Sequence, residues 1–122
     1  MAFEVWGGLT SEEMKKRINE LKENNIQFEE LWIDAGWYGL CTKCDDCFSG
    51  DWSSHTGEWE VNTRIHPENL KDVSECAQNA GMNLMFWVEP ERAIKGTQIV
   101  NEHPDWFITC PPLTSTILNY GN

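Results

Sequence analysis

The sequence is poor in positive charge: 9 Lys and Arg stand against 20 Asp and Glu, a formal net charge of −11. A chain this acidic gains nothing from counterion release on a phosphate backbone, so nucleic acid is a poor partner. An anionic membrane surface repels it for the same reason. No apolar run approaches the roughly 18 residues of a membrane span, and the first residues lack the charged-then-apolar pattern of a signal peptide. These absences lead to the expectation of a soluble chain with a cytoplasmic address. A G-x-x-x-x-G-K-[ST] phosphate loop, a G-x-S-x-G elbow and an H-E-x-x-H pair are also missing, and with them the simplest routes to their chemistries. Cysteine is present five times, an odd number that excludes a complete set of internal disulfides.

What the chain does have is tryptophan, seven in 122 residues. Flat, amphipathic indoles suit the apolar faces of sugars as well as they suit a core. Packing alone is expected to account for roughly four of them. The length allows one domain with one ordinary core.

Periodicity then orders the chain. Phe3 to Gly8 reads as a short strand ending in a glycine turn. Thr10 reads as an N-cap, with Glu13 three residues on and Leu9 and Met14 as a staple; Met14, Ile18 and Leu21 share a helical face that fades at Asn24-Asn25. A strand follows at Leu31 to Ile33, starting after Glu29 and Glu30 because carboxylates sit badly in a buried sheet. Residues 41–62 form a long polar loop, of a length that is often functional. A second helix is expected from Pro67, with Leu70, Val73 and Ala77 as its apolar line and Gly81 in the C′ place. Met82 to Val88, almost unbroken in apolar residues, reads as a strand covered on both faces. A short helix from Thr97 to Glu102 and a final strand pair, "DWFI" and "STILNY", around Pro111-Pro112 complete the order. The alternation β-α-β-loop-α-β-α-β implies parallel strands with right-handed crossovers.

Parallel α/β folds gather their chemistry at the carboxyl ends of strands. Trp6, Asp34 and Glu89 fall at such ends. In "LWIDAGWYG" and "LMFWVEPER" an apolar strand runs into a carboxylate beside an indole. Asp34 with Trp37, and Glu89 and Glu91 with Trp87, therefore form a candidate carbohydrate pocket: carboxylates accept hydrogen bonds from hydroxyls while a ring stacks on the C–H face. The competing reading makes Asp34 a cap of the next backbone turn and pairs Glu91 with Arg92 in solvent. Spacing along the chain cannot measure whether Asp34 and Glu89 stand at a glycosidase separation.

Cys41, Cys44 and Cys47 make a C-x2-C-x2-C run, three thiolates with Asp45, Asp46 or His55 nearby as a fourth zinc ligand. Position 51 is Asp51, so the fourth cysteine of a ferredoxin run is missing, and free thiols in a loop are the alternative. His55, His66 and His103 show no i,i+4 spacing; the latter two precede prolines, as turn residues often do.

The pieces "VWGGLTSEEM", "IDAGWYG", "GDWSSHTGEWEVN", "HPENLK", "AGMNLMFWVEPERA", "HPDWFI" and "ILNYGN", taken in series, resemble the catalytic barrel of glycoside hydrolase family 36, the α-galactosidases. The resemblance implies an α/β fold, a (β/α)8 TIM barrel, and retaining hydrolysis of terminal α-galactosides through a covalent glycosyl-enzyme. It implies no cofactor, and an α-galactoside or related oligosaccharide as partner. By this likeness Asp34 matches an aspartate that binds galactose hydroxyls. Trp87 matches an indole lining the sugar subsite, and Trp6 the tryptophan ending the first barrel strand. Trp59 matches the Trp of the family's "GDW" loop, and Glu89 and Glu91 its E-P-E turn. Where many members carry two adjacent aspartates this chain has Asp34-Ala35, and E-P-E-M is E-P-E-R, with Arg92. Many also place an arginine just before an "LDL"-like strand, where this chain reads "PLTSTILNY".

The nucleophile of the family follows a lysine on the fourth strand, and the acid/base aspartate lies later still. Both positions are expected beyond Asn122, the last residue of this sequence. The expectation is thus a single partial barrel over 1–122, about three βα units and a hairpin, that supplies substrate contacts without the catalytic pair. Alone it is expected to be inactive and to associate through open barrel edges. A non-catalytic sugar-binding module, or a metal module on the cysteine loop, are the alternatives.

Overall fold

The structure, a computed structural model, describes residues 1–39, 52–108 and 115–118. Its centre is a parallel sheet of three strands, β1 (Ala2–Val5), β2 (Glu30–Ile33) and β3 (Asn83–Phe86), in the order β1-β2-β3. Helix α1 (Ser11–Glu23) connects the first two strands, and α2 (Lys71–Asn79) precedes the third. This is a small α/β arrangement with parallel strands, as the alternation of elements implies.

Helix α1 begins where its capping chemistry predicts. The Glu13 amide donates to Thr10 Oγ1 at 3.3 Å and the Thr10 amide donates to Glu13 Oε2 at 2.8 Å, which satisfies two of the free donors of a helix start. Met14 and Ile18, one turn apart, are fully buried, and the helix closes at Asn24. From α2, Val73 and Ala77 meet them, with Leu31, Ile33 and Val5 from the strands. Lys15 of α1 also bridges to Asp72 of α2 at 2.8 Å.

Helix α2 starts later than proline placement predicts. Asn69 and Leu70 have φ of 51° and 62°, left-handed values that interrupt a helix, so residues 67–70 form turns and the helix begins at Lys71. Leu70 nevertheless reaches the core at 2 % exposure, and burial of that side chain offsets the backbone cost. Gly81, at φ 79°, follows the helix as expected. Strand β2 includes Glu30, half-buried at the strand's entrance, contrary to the expectation of a start at Leu31.

Strand β3 is not covered on both faces. Met85 and Phe86 are each 38 % exposed and Val88 52 %. The reason is position: β3 is an edge strand that pairs only with β2 among the described residues. A second, antiparallel sheet has the order β4-β6-β5, from β4 (Arg92–Ile94), β5 (Phe107–Ile108) and β6 (Ser115–Leu118). The β5-β6 pairing, Phe107 opposite Leu118, is the expected terminal hairpin; its Pro111-Pro112 turn lies outside the described residues. Strand β4 has three residues, too few to show a period, and only its pairing of Arg92 with Ile117 reveals it. A 3-10 turn at Trp52–His55 and the short helix α3 (Gln98–Glu102) both contact β4.

Candidate functional site

The register of the parallel sheet determines what stands next to what. Val5, Ile33 and Phe86 are partners across the three strands. The next residue on each strand is Trp6, Asp34 and Trp87. The ladder continues through them: the Asp34 amide donates to Val5 O at 2.9 Å, and the Trp87 amide donates to Ile33 O at 2.8 Å. Residues in one row of a parallel sheet face the same way, opposite to the row before. Trp6, Asp34 and Trp87 thus form a row at the carboxyl edge, one step beyond the row containing buried Val5 and Ile33.

Two glycines let the first two strand ends approach. The Gly7 amide donates to Ala35 O at 3.0 Å, and a Cβ on Gly7 would lie 2.1 Å from Asp34 O. Gly36 has φ 100°, and a Cβ there would sit 2.8 Å from the Gly8 amide nitrogen and 3.1 Å from Trp6 Cζ2. The Trp6 ring therefore rests on the glycine backbone beside the turn that follows Asp34. Side chains at either position would separate the indole from the carboxylate.

Asp34 is half-buried, and one of its oxygens, Oδ1, accepts from the Ala35 amide at 2.8 Å. The turn-capping role and the pocket role coexist, because a carboxylate has acceptor capacity left after one such bond. Trp87 stands edge-on to Trp52 with ring centres 5.5 Å apart. Sequence reading passes over Trp52, in "GDWSSH", because it gives the resemblance to the family's "GDW" loop to Trp59 of the neighbouring "GEW".

Trp37 has a different place. It is 6 % exposed, its Nε1–H donates to Trp87 O at 2.9 Å, and its ring contacts Phe86 with centres 5.0 Å apart. A buried indole with its only donor occupied offers a sugar neither face nor hydrogen bond; it holds the Trp87 backbone. Trp59 is half-buried, with its ring centre 6.4 Å from that of Trp37 and 4.7 Å from that of Tyr38. The loop carrying it is fastened at its base, where the Gly39 amide donates to Glu60 O and the Asn62 amide to Trp37 O, each at 2.9 Å.

The two glutamates of the E-P-E turn separate. Glu89 is gripped by Arg92 in a two-point ion pair, Nε to Oε1 and Nη2 to Oε2, the latter at 2.8 Å. Arg92 thus pairs with Glu89, not with Glu91, which is exposed. Close to this pair is Tyr38, fully buried, its hydroxyl without a hydrogen bond of ordinary geometry among the described residues. Burial pushes its pKa up to about 12; neighbouring Glu89 and Asp34 push the same way, while Thr56 and Arg92 oppose. The Thr56 hydroxyl itself donates to Ser53 O at 3.2 Å.

His66, read from sequence as a turn residue, is fully buried and joins three segments. Its Nε2 lies 3.2 Å from Gly7 O and its Nδ1 3.0 Å from Ser11 Oγ. A carbonyl only accepts, so Nε2 carries the proton and Nδ1 accepts from the serine. Burial holds its pKa below the ordinary histidine value, against the pull of the Gly7 carbonyl and Asp72. The imidazole thus anchors the turn under Trp6.

Cys41, Cys44 and Cys47 lie outside the described residues. So does Asn122, the position beyond which the nucleophile and the acid/base aspartate are expected. The described strands reach only β6, which pairs antiparallel with β4 and β5 and is not a fourth parallel barrel strand. Among the described residues, no three His, Cys, Asp or Glu side chains gather where a metal ion could be held, and no helix is long and apolar enough to cross a membrane.

Residues 3–118 match the family model described as Melibiase. The α-galactosidase AgaA of Geobacillus stearothermophilus is 32% identical over 86 residues, which is 70% of this chain and 11% of that protein. The crystal structure of the α-galactosidase AgaB from the same organism superposes with a TM-score of 0.74 at 22% identity, covering 100% of this chain and 17% of that one. An AgaA structure in complex with stachyose gives 0.70 at 23% identity, over 93% of this chain and 15% of that chain. At these identities the superpositions establish the fold, and the chain spans only about a ninth of the curated relative's length. From the family match, the chain belongs to the melibiase family, the α-galactosidases of glycoside hydrolase family 36.

Proposed function

We propose that this chain forms the galactoside-facing part of a retaining α-galactosidase barrel, its first three βα units, and supplies substrate contacts rather than the nucleophile. The observation that carries the reading is the single row of Trp6, Asp34 and Trp87 across three parallel strand ends. In it the acceptor of a carboxylate stands between two indoles, the pattern that a pyranose with vicinal hydroxyls and an apolar C–H face fits. Trp52 extends the wall beside Trp87. Trp37 and Trp59 support the row from behind, and the Arg92 grip fixes the Glu89 carboxylate. Glu91, exposed, is placed to reach further sugar units.

In this reading the edges of β1 and β3 that are unpaired among the described residues are where further barrel strands pair, and the oxocarbenium chemistry is performed by carboxylates beyond Asn122. The substrate class is a terminal α-galactoside. The AgaA complex with stachyose supports an oligosaccharide bearing one.

The test is titration of methyl α-galactoside into the protein carrying this chain at its natural length, read by tryptophan fluorescence. Saturable quenching is expected, with affinity reduced roughly 10- to 150-fold in Asp34→Ala, the equivalent of losing about 1.5–3 kcal/mol of hydrogen bonding to a charged group. Unchanged affinity in that variant would remove Asp34 from the pocket.

A further inference from the structure

A second cleft is lined by none of Trp6, Asp34, Trp52 and Trp87, and takes Trp59 from the cluster that supports that row. It occupies about 490 Å³ between the Gly57–Glu60 segment and the stretch from α3 to Trp106, a size within the range of small-molecule sites. We propose that this cleft binds a neutral pyranose unit, as a second saccharide site distinct from the galactoside row.

Two indoles supply its walls. Trp106 is stacked on His103, ring centres 3.9 Å apart and planes 7° from parallel, yet remains 45 % exposed. One of its faces is thus held and the other left open. Trp59 is backed by Tyr38 and Trp37, so its ring is fixed before any ligand arrives, which lowers the ordering cost of binding.

The polar lining is matched to hydroxyls. Of the three carboxylates there, Glu58 is engaged by His55 Nδ1 at 3.0 Å, Glu102 Oε1 accepts from the Gln98 amide at 2.7 Å, and Glu60 is exposed to solvent. Glu58 and Glu102 each keep acceptor capacity after one bond, and the Gln98 side chain adds a donor. Acceptors and a donor around open aromatic faces match a sugar, whose hydroxyls donate and accept around an apolar C–H surface.

The experiment counts stachyose sites by calorimetric titration of the protein carrying this chain at its natural length. Two sites per chain are expected. Trp106→Ala removes one, or weakens it at least tenfold, and Gln98→Leu weakens the same one; circular dichroism is unchanged in both, since both side chains are exposed. Asp34→Ala acts on the other site. If Trp106→Ala and Gln98→Leu leave every stachyose site intact, the proposal is overturned. Displacement of cleft-bound stachyose by tetramethylammonium chloride at matched ionic strength overturns it in favour of a cation site. Should Trp106→Ala remove a site while Asp34→Ala removes none, the cleft stands and the galactoside row fails.

Discussion

At the scale of single residues, many polar side chains near the strand ends already have partners. Asp34 keeps acceptor capacity, whereas Glu89 is tied to Arg92 and Trp37 to the Trp87 carbonyl. Sequence ranked these carboxylates and indoles alike, because each follows or precedes an apolar strand. The difference depends on neighbours 3 and 50 positions away, and only the nearer of these lies within reach of a local motif.

Tyr38 is the reverse case, a buried hydroxyl with no well-formed hydrogen bond among the described residues. Its hydroxyl costs about 1–3 kcal/mol of desolvation that no hydrogen bond of ordinary geometry among the described residues offsets. Tyr38→Phe is therefore expected to raise stability by about 1 kcal/mol, read as a higher urea midpoint at unchanged slope. A lower midpoint would mean that the hydroxyl finds a partner in solution. The pH dependence has a definite sign. The folded-state pKa, about 12, lies above the ordinary value of 10.0, so the ionised form is disfavoured by folding. Stability is intact below pH 10, falls as pH rises toward about 12, and this loss disappears in Tyr38→Phe.

At the scale of elements, local chemistry located α1 correctly and α2 incorrectly. The α1 cap is a contact between residues three apart, Thr10 and Glu13, which a sequence displays directly. The start of α2 is governed by what holds the chain before it. His66 is fixed to Gly7 and Ser11, and the path from there to buried Leu70 passes through two left-handed residues. No local propensity encodes a constraint imposed from 55 and 59 residues away.

His66 makes that constraint testable. Its pKa is lowered from 6.5 chiefly by burial, so the unfolded chain takes up its proton first as the solution is acidified. The contribution is complete above pH 6.5 and lost as pH falls toward and through the folded value, at no more than about 1.4 kcal/mol per pH unit. Urea midpoints measured between pH 7.5 and 5 are expected to fall more steeply in the wild type than in His66→Gln. Parallel slopes would show that the imidazole titrates normally.

At the scale of the whole molecule, the sheet order leaves β1 and β3 each with one partner among the described residues. Apolar residues that a sequence reader assigns to a doubly covered strand are consequently exposed at Met85, Phe86 and Val88. Unpaired parallel edges with apolar side chains favour association. With the nucleophile assigned, as proposed, to a position beyond Asn122, residues 1–122 prepared alone are expected to sediment as oligomers and to release no nitrophenol from p-nitrophenyl α-galactoside. Turnover by that polypeptide would show that these residues contain a catalytic pair and would refute the assignment of chemistry to residues beyond Asn122.

The sequence alone was enough for the alternation of strands and helices, the α1 cap, the glycines at the strand ends, the position of Asp34 and the family. All of these depend on residue type and on spacing within a few positions. The tertiary structure decided which side chains occupy one another: Arg92 with Glu89, Trp37 with Trp87, His66 with Gly7 and Ser11, and the two indoles that frame the second cleft. The reason is physical. Hydrogen bonds and ring contacts act over a few ångströms in space, so partners far apart in the chain leave no mark on each other's local sequence.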